Sequence, residues 1–414
     1  MPRNILYKFL IIICGLSSLA SAAALPEPKA QPSTTAVLPG SAALLSSVAP
    51  AASRLDDYLP LLQQQRVAIF ANNASQVNGQ NIVALLQQHQ VNVVKIFSPE
   101  HGFSGLNDAG ASVGNTQEQN LRVISLYGAK NKPSAADLTN VDIIVIDIQD
   151  VGVRFYTYIS SLQKIMEAAA ENNKPLLILD RPNPNGFYID GPVLESQYKS
   201  FVGMQPIPLV YGMTIAEYAR MLRGEKWLDL SPTAKPLKLT IIPLQDYRHN
   251  QYPTLATKPS PNLPNMSAIY WYPSLGLFEG SKLSVGRGTA MPFQVLGNPN
   301  YNTQFSFTPQ ATGGALNPPF KNQVCRGWDL RMDSQSALAQ TNGQIQLAWL
   351  IKAYNAYPDH AHFFTSFFTK LAGTKKLQQQ IIAGVSESQI RASWHDDLTK
   401  FKQIRAKYLL YPDF

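Results

Sequence analysis

The sequence predicts an α/β fold: a mainly parallel sheet covered on both faces, followed by a smaller α+β region. Three observations carry this. From Arg66 onward, short apolar runs alternate with stretches of helical period. Four of the runs end in polar clusters, namely Ala71-Asn72-Asn73, Ser98-Pro99-Glu100-His101-Gly102, Asp147-Ile148-Gln149-Asp150 and Asp180-Arg181-Pro182-Asn183. Ligands of open α/β sheets bind beyond the carboxyl ends of the strands, so polar groups gathered there are aimed at a substrate. After Gln245 the texture changes to Pro, Asn, Gly and aromatics, which does not continue the βα alternation.

The chain opens as an export signal over residues 1–22. Arg3 and Lys8 supply positive charge, residues 9–19 an apolar stretch and Ala20-Ser21-Ala22 a small-residue cleavage site. That stretch is too short to span a bilayer, which implies a periplasmic or secreted protein with no stable membrane anchor after cleavage. Ile13 before Cys14 argues against a lipid attachment site, and only Cys325 would survive maturation, leaving no intramolecular disulfide. Residues 23–50, rich in Ala, Ser and Pro, read as a flexible linker.

Strands are expected over residues 66–70, 91–97, 123–127, 141–148, 176–179 and 237–244. Helices are expected over 81–88, 156–172 and 214–222, the last stopped by Gly224. Further helices fall near 342–354 and 387–408. The length beyond the linker exceeds what one core usually organises, so two subdomains are placed at 51–250 and 251–414. The formal charge of +8, lowered by two once Arg3 and Lys8 are removed, suits an anionic surface or substrate and equally an incidental basic surface. Basic residues form no run and seldom alternate with aromatics, which argues against nucleic-acid binding.

Glu100 follows Pro99 and precedes His101-Gly102 at a strand end, so its carboxylate is held at the rim, as a general acid or base requires; capping of the next loop is the equal alternative. His101 is a hydrogen-bonding residue rather than a ligand, because neither it nor Asp108 belongs to a zinc-type spacing, and no metal is expected. Asp150 and Arg154 form a structural salt bridge or contact substrate directly, with Tyr156 beside them at a helix start that favours an anion. Asp180, Arg181 and Asn183 sit in a loop stiffened by Pro182, Pro184 and Gly186, a setting suited to grasping sugar hydroxyls. Glycines on both sides of Arg287 would let backbone approach a ligand and leave the guanidinium free to fork onto a carboxylate.

Other chemistries lack their motifs. There is no G-x-S-x-G elbow, no Walker-type phosphate loop and no dinucleotide fingerprint after the first strand, where Ala71-Asn72-Asn73-Ala74-Ser75 stands instead. No cofactor is therefore expected. Cys325 reads as a buried small hydrophobe.

These segments resemble the exo-β-N-acetylmuramidase (NamZ) family of peptidoglycan hexosaminidases, formerly known as a domain of unknown function. The matching motifs are Ser98 to Gly102 with Phe103, Gly105 and Asp108-Ala109-Gly110, then DIQDVGVRFYTY (147–158), DRPNPN (180–185) and Asp190-Gly191-Pro192. PSPNLP (259–264), FEGSKLSVGRGTAMPF (278–293) and Tyr408-Leu409-Leu410-Tyr411 complete the set. The resemblance implies a Rossmann-like subdomain joined to a smaller one, with the active cleft between them. It implies release of N-acetylmuramic acid from the non-reducing end of peptidoglycan fragments, with Glu100 as the leading catalytic residue. One departure is Tyr211 before Gly212-Met213-Thr214, where the resemblance implies His in many relatives, so a role for that imidazole does not carry over.

The resulting expectation is an exported glycoside hydrolase acting on the β-1,4 bond. Glu100, His101 and Asp150 are the catalytic set, and Asn72, Arg154, Tyr156, Asp180, Arg181, Asn183, Asn262, Glu279 and Arg287 hold the peptidoglycan-derived saccharide. Retaining, inverting and substrate-assisted routes are all compatible with the sequence. The rival readings are a non-catalytic peptidoglycan-binding protein and a wall-peptide esterase or amidase.

Overall fold

The computed structural model describes residues 45–118 and 120–414, so the expected signal and most of the linker lie outside the described residues. Leu45–Ser46, assigned above to the linker, instead pairs in parallel with Tyr252–Pro253, and Ala51 and Ala52 are buried. Helix α1 follows at Leu55–Leu62.

The central sheet has seven strands: β1 (Arg66–Phe70), β2 (Asn92–Ser98), β3 (Thr116–Glu118), β4 (Leu121–Ser125), β5 (Ile143–Ile146), β6 (Leu176–Leu179) and β7 (Leu239–Ile242). Their order is β7-β6-β5-β1-β2-β4-β3, parallel throughout except for the β3–β4 edge pair. Strand alternation sorts the core into two layers. Ala68, Phe70, Ile144, Ile146 and Ile178 face one side, and Val67, Ile69, Val145, Leu177 and Leu179 the other. Burial on both faces is what makes these strands read as continuous apolar runs.

Helices α2 (Ile82–Gln88), α3 (Tyr158–Glu171) and α4 (Ile215–Gly224) connect the strands. Asn81 caps α2 by accepting from the Val83 amide at 3.0 Å. Thr214 and Glu217 form a reciprocal capping box on α4. The chain order reverses between β1 and β5, and the loops after these strands flank the switch point where such sheets open a crevice.

The aromatic stretch after residue 265 forms a helix that the change of texture after Gln245 did not indicate. Tyr270, Trp271, Tyr272 and Pro273 lie in helix α5 (Met266–Leu275), capped by Asn265. Pro273 donates no backbone hydrogen bond, and the Ile269 carbonyl four residues earlier accepts from Asn185 Nδ2 at 3.2 Å instead. Beyond α5 comes a three-stranded antiparallel sheet of β8 (Val295–Asn298), β9 (Phe305–Phe307) and β10 (Cys325–Asp329), in the order β8-β10-β9. Six helices complete the chain: α6 (Ser334–Thr341), α7 (Leu347–Ala356), α8 (Phe368–Ala372), α9 (Lys376–Ile382), α10 (Glu387–Ala392) and α11 (His395–Ala406). Trp271, Leu350, Phe368 and Phe401 join the same apolar cluster as α3 and α4, so the second half packs on one face of the first.

Candidate active site

The carboxyl end of β2 builds the site. After Ser98 and Pro99 the chain turns through His101 and Gly102, both with positive φ (70° and 75°). His101 is strained there as a non-glycine residue, whereas Gly102 is required: a Cβ would lie 2.6 Å from Asn107 Nδ2. The turn is pinned by Asn107, whose Nδ2 donates to the His101 carbonyl at 3.1 Å and whose carbonyl lies 2.6 Å from His101 Nδ1. Burial pushes the imidazole below its ordinary value, against the pull of the Glu100 carboxylate, so His101 is neutral near pH 7.

This turn presents Glu100 to a cavity of about 180 Å³. Its Oε1 accepts from the Gly110 amide at 2.7 Å and its Oε2 from the Thr157 hydroxyl at 2.6 Å. The Tyr127 phenol, just past β4, lines the cavity near this carboxyl group, and burial followed by the Glu100 charge raises it far above its ordinary value. Thr157 is the residue before α3, so three different elements converge on one carboxylate.

The opposite wall comes from the second half of the chain. Glu279 and Arg287 pair at 2.7 Å, and the guanidinium lies over the Phe293 ring, 4.9 Å from its centre. Arg287 is thus not free, as the flanking glycines had suggested. Those glycines serve the local turn, since a Cβ on Gly286 would lie 2.7 Å from the Met291 carbonyl rather than facing a ligand. Arg287 Nη1 is buried with no partner among the described residues, and Nη2 makes no hydrogen bond there but is not sealed from solvent.

Of the residues singled out in the sequence, Glu100, His101, Tyr156, Glu279 and Arg287 line this cavity. The rest lie outside its lining and bond mainly to other protein groups. Asp150 is buried, accepts from the Gly152 amide at 2.7 Å and from the Tyr211 phenol, and is raised to about 6 by burial. It forms no pair with Arg154 and lies away from the cavity lining, which removes it from the catalytic set. Tyr211 donates to Oδ2, while Oδ1 is buried with no partner among the described residues.

Arg154 is fully buried and donates to the carbonyls of Pro192 (2.7 Å), Ile207 (2.8 Å) and Leu371 (3.0 Å); burial lowers it to about 9. It therefore clamps backbone, including the segment carrying Leu371 on the cavity wall. Asp180 accepts from Thr214 and Tyr411, Arg181 pairs with Asp147, and Asn183 donates to the Met213 carbonyl at 2.8 Å. Asn262 donates to the Gly314 carbonyl at 2.9 Å, and Asn72 to the Tyr158 hydroxyl at 2.9 Å, one layer behind the cavity.

Tyr127, Thr157 and the Gly110 amide escaped the sequence reading. Tyr127 carried a usable signal, a polar aromatic closing a predicted strand before Gly128. Thr157 and Gly110 became partners of Glu100 only through non-local folding. Among the described residues, no group of three His, Cys, Asp or Glu gathers as metal ligands would.

A parallel sheet presenting an anchored carboxylate at an accessible pocket, with a guanidinium across from it, defines an α/β enzyme of acid–base type. Two family descriptions match: "Exo-beta-N-acetylmuramidase NamZ, N-terminal" over residues 67–267, and the corresponding C-terminal description over 270–411. The chain belongs to the NamZ family of exo-β-N-acetylmuramidases. It is 35% identical over 428 residues to the peptidoglycan β-N-acetylmuramidase NamZ of Bacillus subtilis strain 168, covering 99% of this chain and 100% of that protein. Two crystal structures of DUF1343 family proteins from Bacteroides fragilis NCTC 9343 are similar. BF0379 has a TM-score of 0.81 and 43% identity, covering 89% of this chain and 100% of that one. BF0371 has a TM-score of 0.73 and 27% identity, covering 88% and 99%.

Proposed function

We propose that this chain is an exo-acting glycoside hydrolase that releases N-acetylmuramic acid from the non-reducing end of peptidoglycan fragments, with Glu100 as the acid that protonates the leaving oxygen. The observation that carries the role is the mounting of Glu100. A carboxyl group gripped by the Gly110 amide and the Thr157 hydroxyl keeps one position while its substrate arrives. The Thr157 and Tyr127 hydroxyls rotate, so each can accept from the protonated acid as well as donate to the carboxylate. The cavity of about 180 Å³ is small for a ligand pocket, which favours a short stretch of glycan such as a chain end.

Glu279 replaces Asp150 as the second carboxylate of the site, since it shares the cavity lining with Glu100. Arg287 Nη2, which makes no hydrogen bond among the described residues and is not sealed from solvent, is the donor for the lactyl carboxylate that distinguishes N-acetylmuramic acid from N-acetylglucosamine. Export to the periplasm or medium is part of the same reading and rests on the tripartite start of the sequence.

The test is release of a chromophore from a muramic acid glycoside by the purified chain. Turnover supports a hydrolase. Binding without turnover supports a wall-binding protein, and cleavage confined to wall ester or amide bonds supports the esterase or amidase reading.

A further inference from the structure

A second cavity, of about 290 Å³, opens at the switch point of the sheet and shares no lining residue with the Glu100 pocket. Its floor comes from the loops after β1, β5 and β6: Gln76 and Asn78, Gln149, and Arg181. Its sides are Ser47 to Pro50 and Thr254 to Thr257. The parallel pairing of Leu45–Ser46 with Tyr252–Pro253 brings these two segments together.

The charge at this cavity is balanced. Arg181, 6% exposed, uses Nε and Nη2 on Asp147, which is fully buried behind it, and Nη2 also donates to the Gln76 carbonyl at 3.1 Å. Its Nη1 makes no hydrogen bond among the described residues and is not sealed from solvent, so it is the donor left for the cavity. Gln149 spends Nε2 on the carbonyls of Asp150 and Pro182, both at 2.8 Å, leaving Oε1 as an acceptor. Among the described residues no Asp or Glu lines the cavity, and Arg181 is its only charged one.

We infer that this cavity is an accessory site for a neutral saccharide of N-acetylhexosamine size. A guanidinium already neutralised by Asp147 has donors to offer but no net charge to attract an anion. Amide and hydroxyl side chains around it match alternating donors and acceptors on a sugar ring, and Pro50, Pro182 and Leu255 supply apolar contact for a ring face. The choice of an N-acetylhexosamine rests on the glycan-hydrolase reading of the neighbouring pocket. The site would hold a glycan segment apart from the bond being cut.

The experiment is calorimetric titration of the full chain with N-acetylglucosamine, alongside turnover of the chromogenic muramic acid glycoside. Ala256 is exposed on the cavity wall, so Ala256→Trp adds bulk over the opening without entering the core. The inference predicts that Ala256→Trp weakens at least one sugar-binding component by about tenfold or more while turnover holds. Unchanged sugar binding in this variant, no sugar binding by the parent, or binding of inorganic phosphate in preference to the sugar each overturns it. Should Ala256→Trp lose turnover as well, Thr257→Val decides: weaker sugar binding at an unchanged melting temperature supports the site, and equal binding overturns it. Failure of the hydrolytic reading shows separately, as absent turnover in a parent that still binds the sugar.

Discussion

The carboxyl ends of β2 and β6 look alike in sequence and hold their acidic residues in opposite ways. Each delivers an acidic residue, a basic or imidazole residue and a proline into a loop. After β2, Glu100 stays accessible, held by an amide and a hydroxyl in a cavity. After β6, Asp180 is fully buried, taken by Thr214, the Ala216 amide and Tyr411, while Arg181 spends Nε and Nη2 on Asp147 and keeps only Nη1 for the second cavity. A polar strand end therefore marks where a ligand could sit. Whether it does depends on partners that arrive from far along the chain.

The comparison predicts a clean division between stability and activity. The largest expected effect is on stability at the β6 end. Arg181→Gln strands the buried Asp147 carboxylate and should cost about 3–5 kcal/mol of folding stability in denaturant titration. A loss under 1 kcal/mol would mean that Asp147 finds another partner and that this end is less closed than described.

A smaller effect is expected at the open pocket. Arg287→Lys keeps the charge but loses the planar fork, and should reduce discrimination between muramic acid and N-acetylglucosamine glycosides by about 1.5–3 kcal/mol. Equal discrimination by parent and variant would assign Arg287 to holding Glu279 alone.

The closed end should also announce itself in the pH dependence of stability. Burial, opposed by the Tyr411 and Thr214 hydrogen bonds, raises Asp180 from 3.8 to about 7. Between those values the folded state keeps a proton that the unfolded chain has released, so stability falls as pH rises from about 4 to about 7. The contribution is at most about 1.4 kcal/mol per pH unit. Asp180→Asn should flatten that part of the profile, and an unchanged slope would contradict a protonated Asp180.

Much of this was legible beforehand, for physical reasons that differ by region. Strands such as Arg66–Phe70 and Leu176–Leu179 were found to the residue because a sheet buried on both faces leaves an apolar signature. Glu100 and His101 were legible because their turn is local, fixed within residues 99–107. Asp150 and Asp180 misled because the phenols that bond them, Tyr211 and Tyr411, lie 61 and 231 residues away. Helix α5 was hidden by Pro273, which is tolerated because Asn185, from another loop, takes up the carbonyl it frees. The short strands β8 to β10 were missed because they pair across long intervening loops and carry little apolar run of their own.

The measurement that bears most directly on the account is the kinetics of Glu100→Gln on two substrates, the natural disaccharide and a muramic acid glycoside with a good phenolic leaving group. Gln preserves size and hydrogen bonding but carries no transferable proton. The account predicts near-normal substrate binding and an unchanged melting temperature. Turnover of the disaccharide should fall by at least about 10²-fold, and the bond-breaking step of the phenolic substrate should suffer less. Near-parental turnover of the natural disaccharide would contradict Glu100 as the acid and move that role to Glu279.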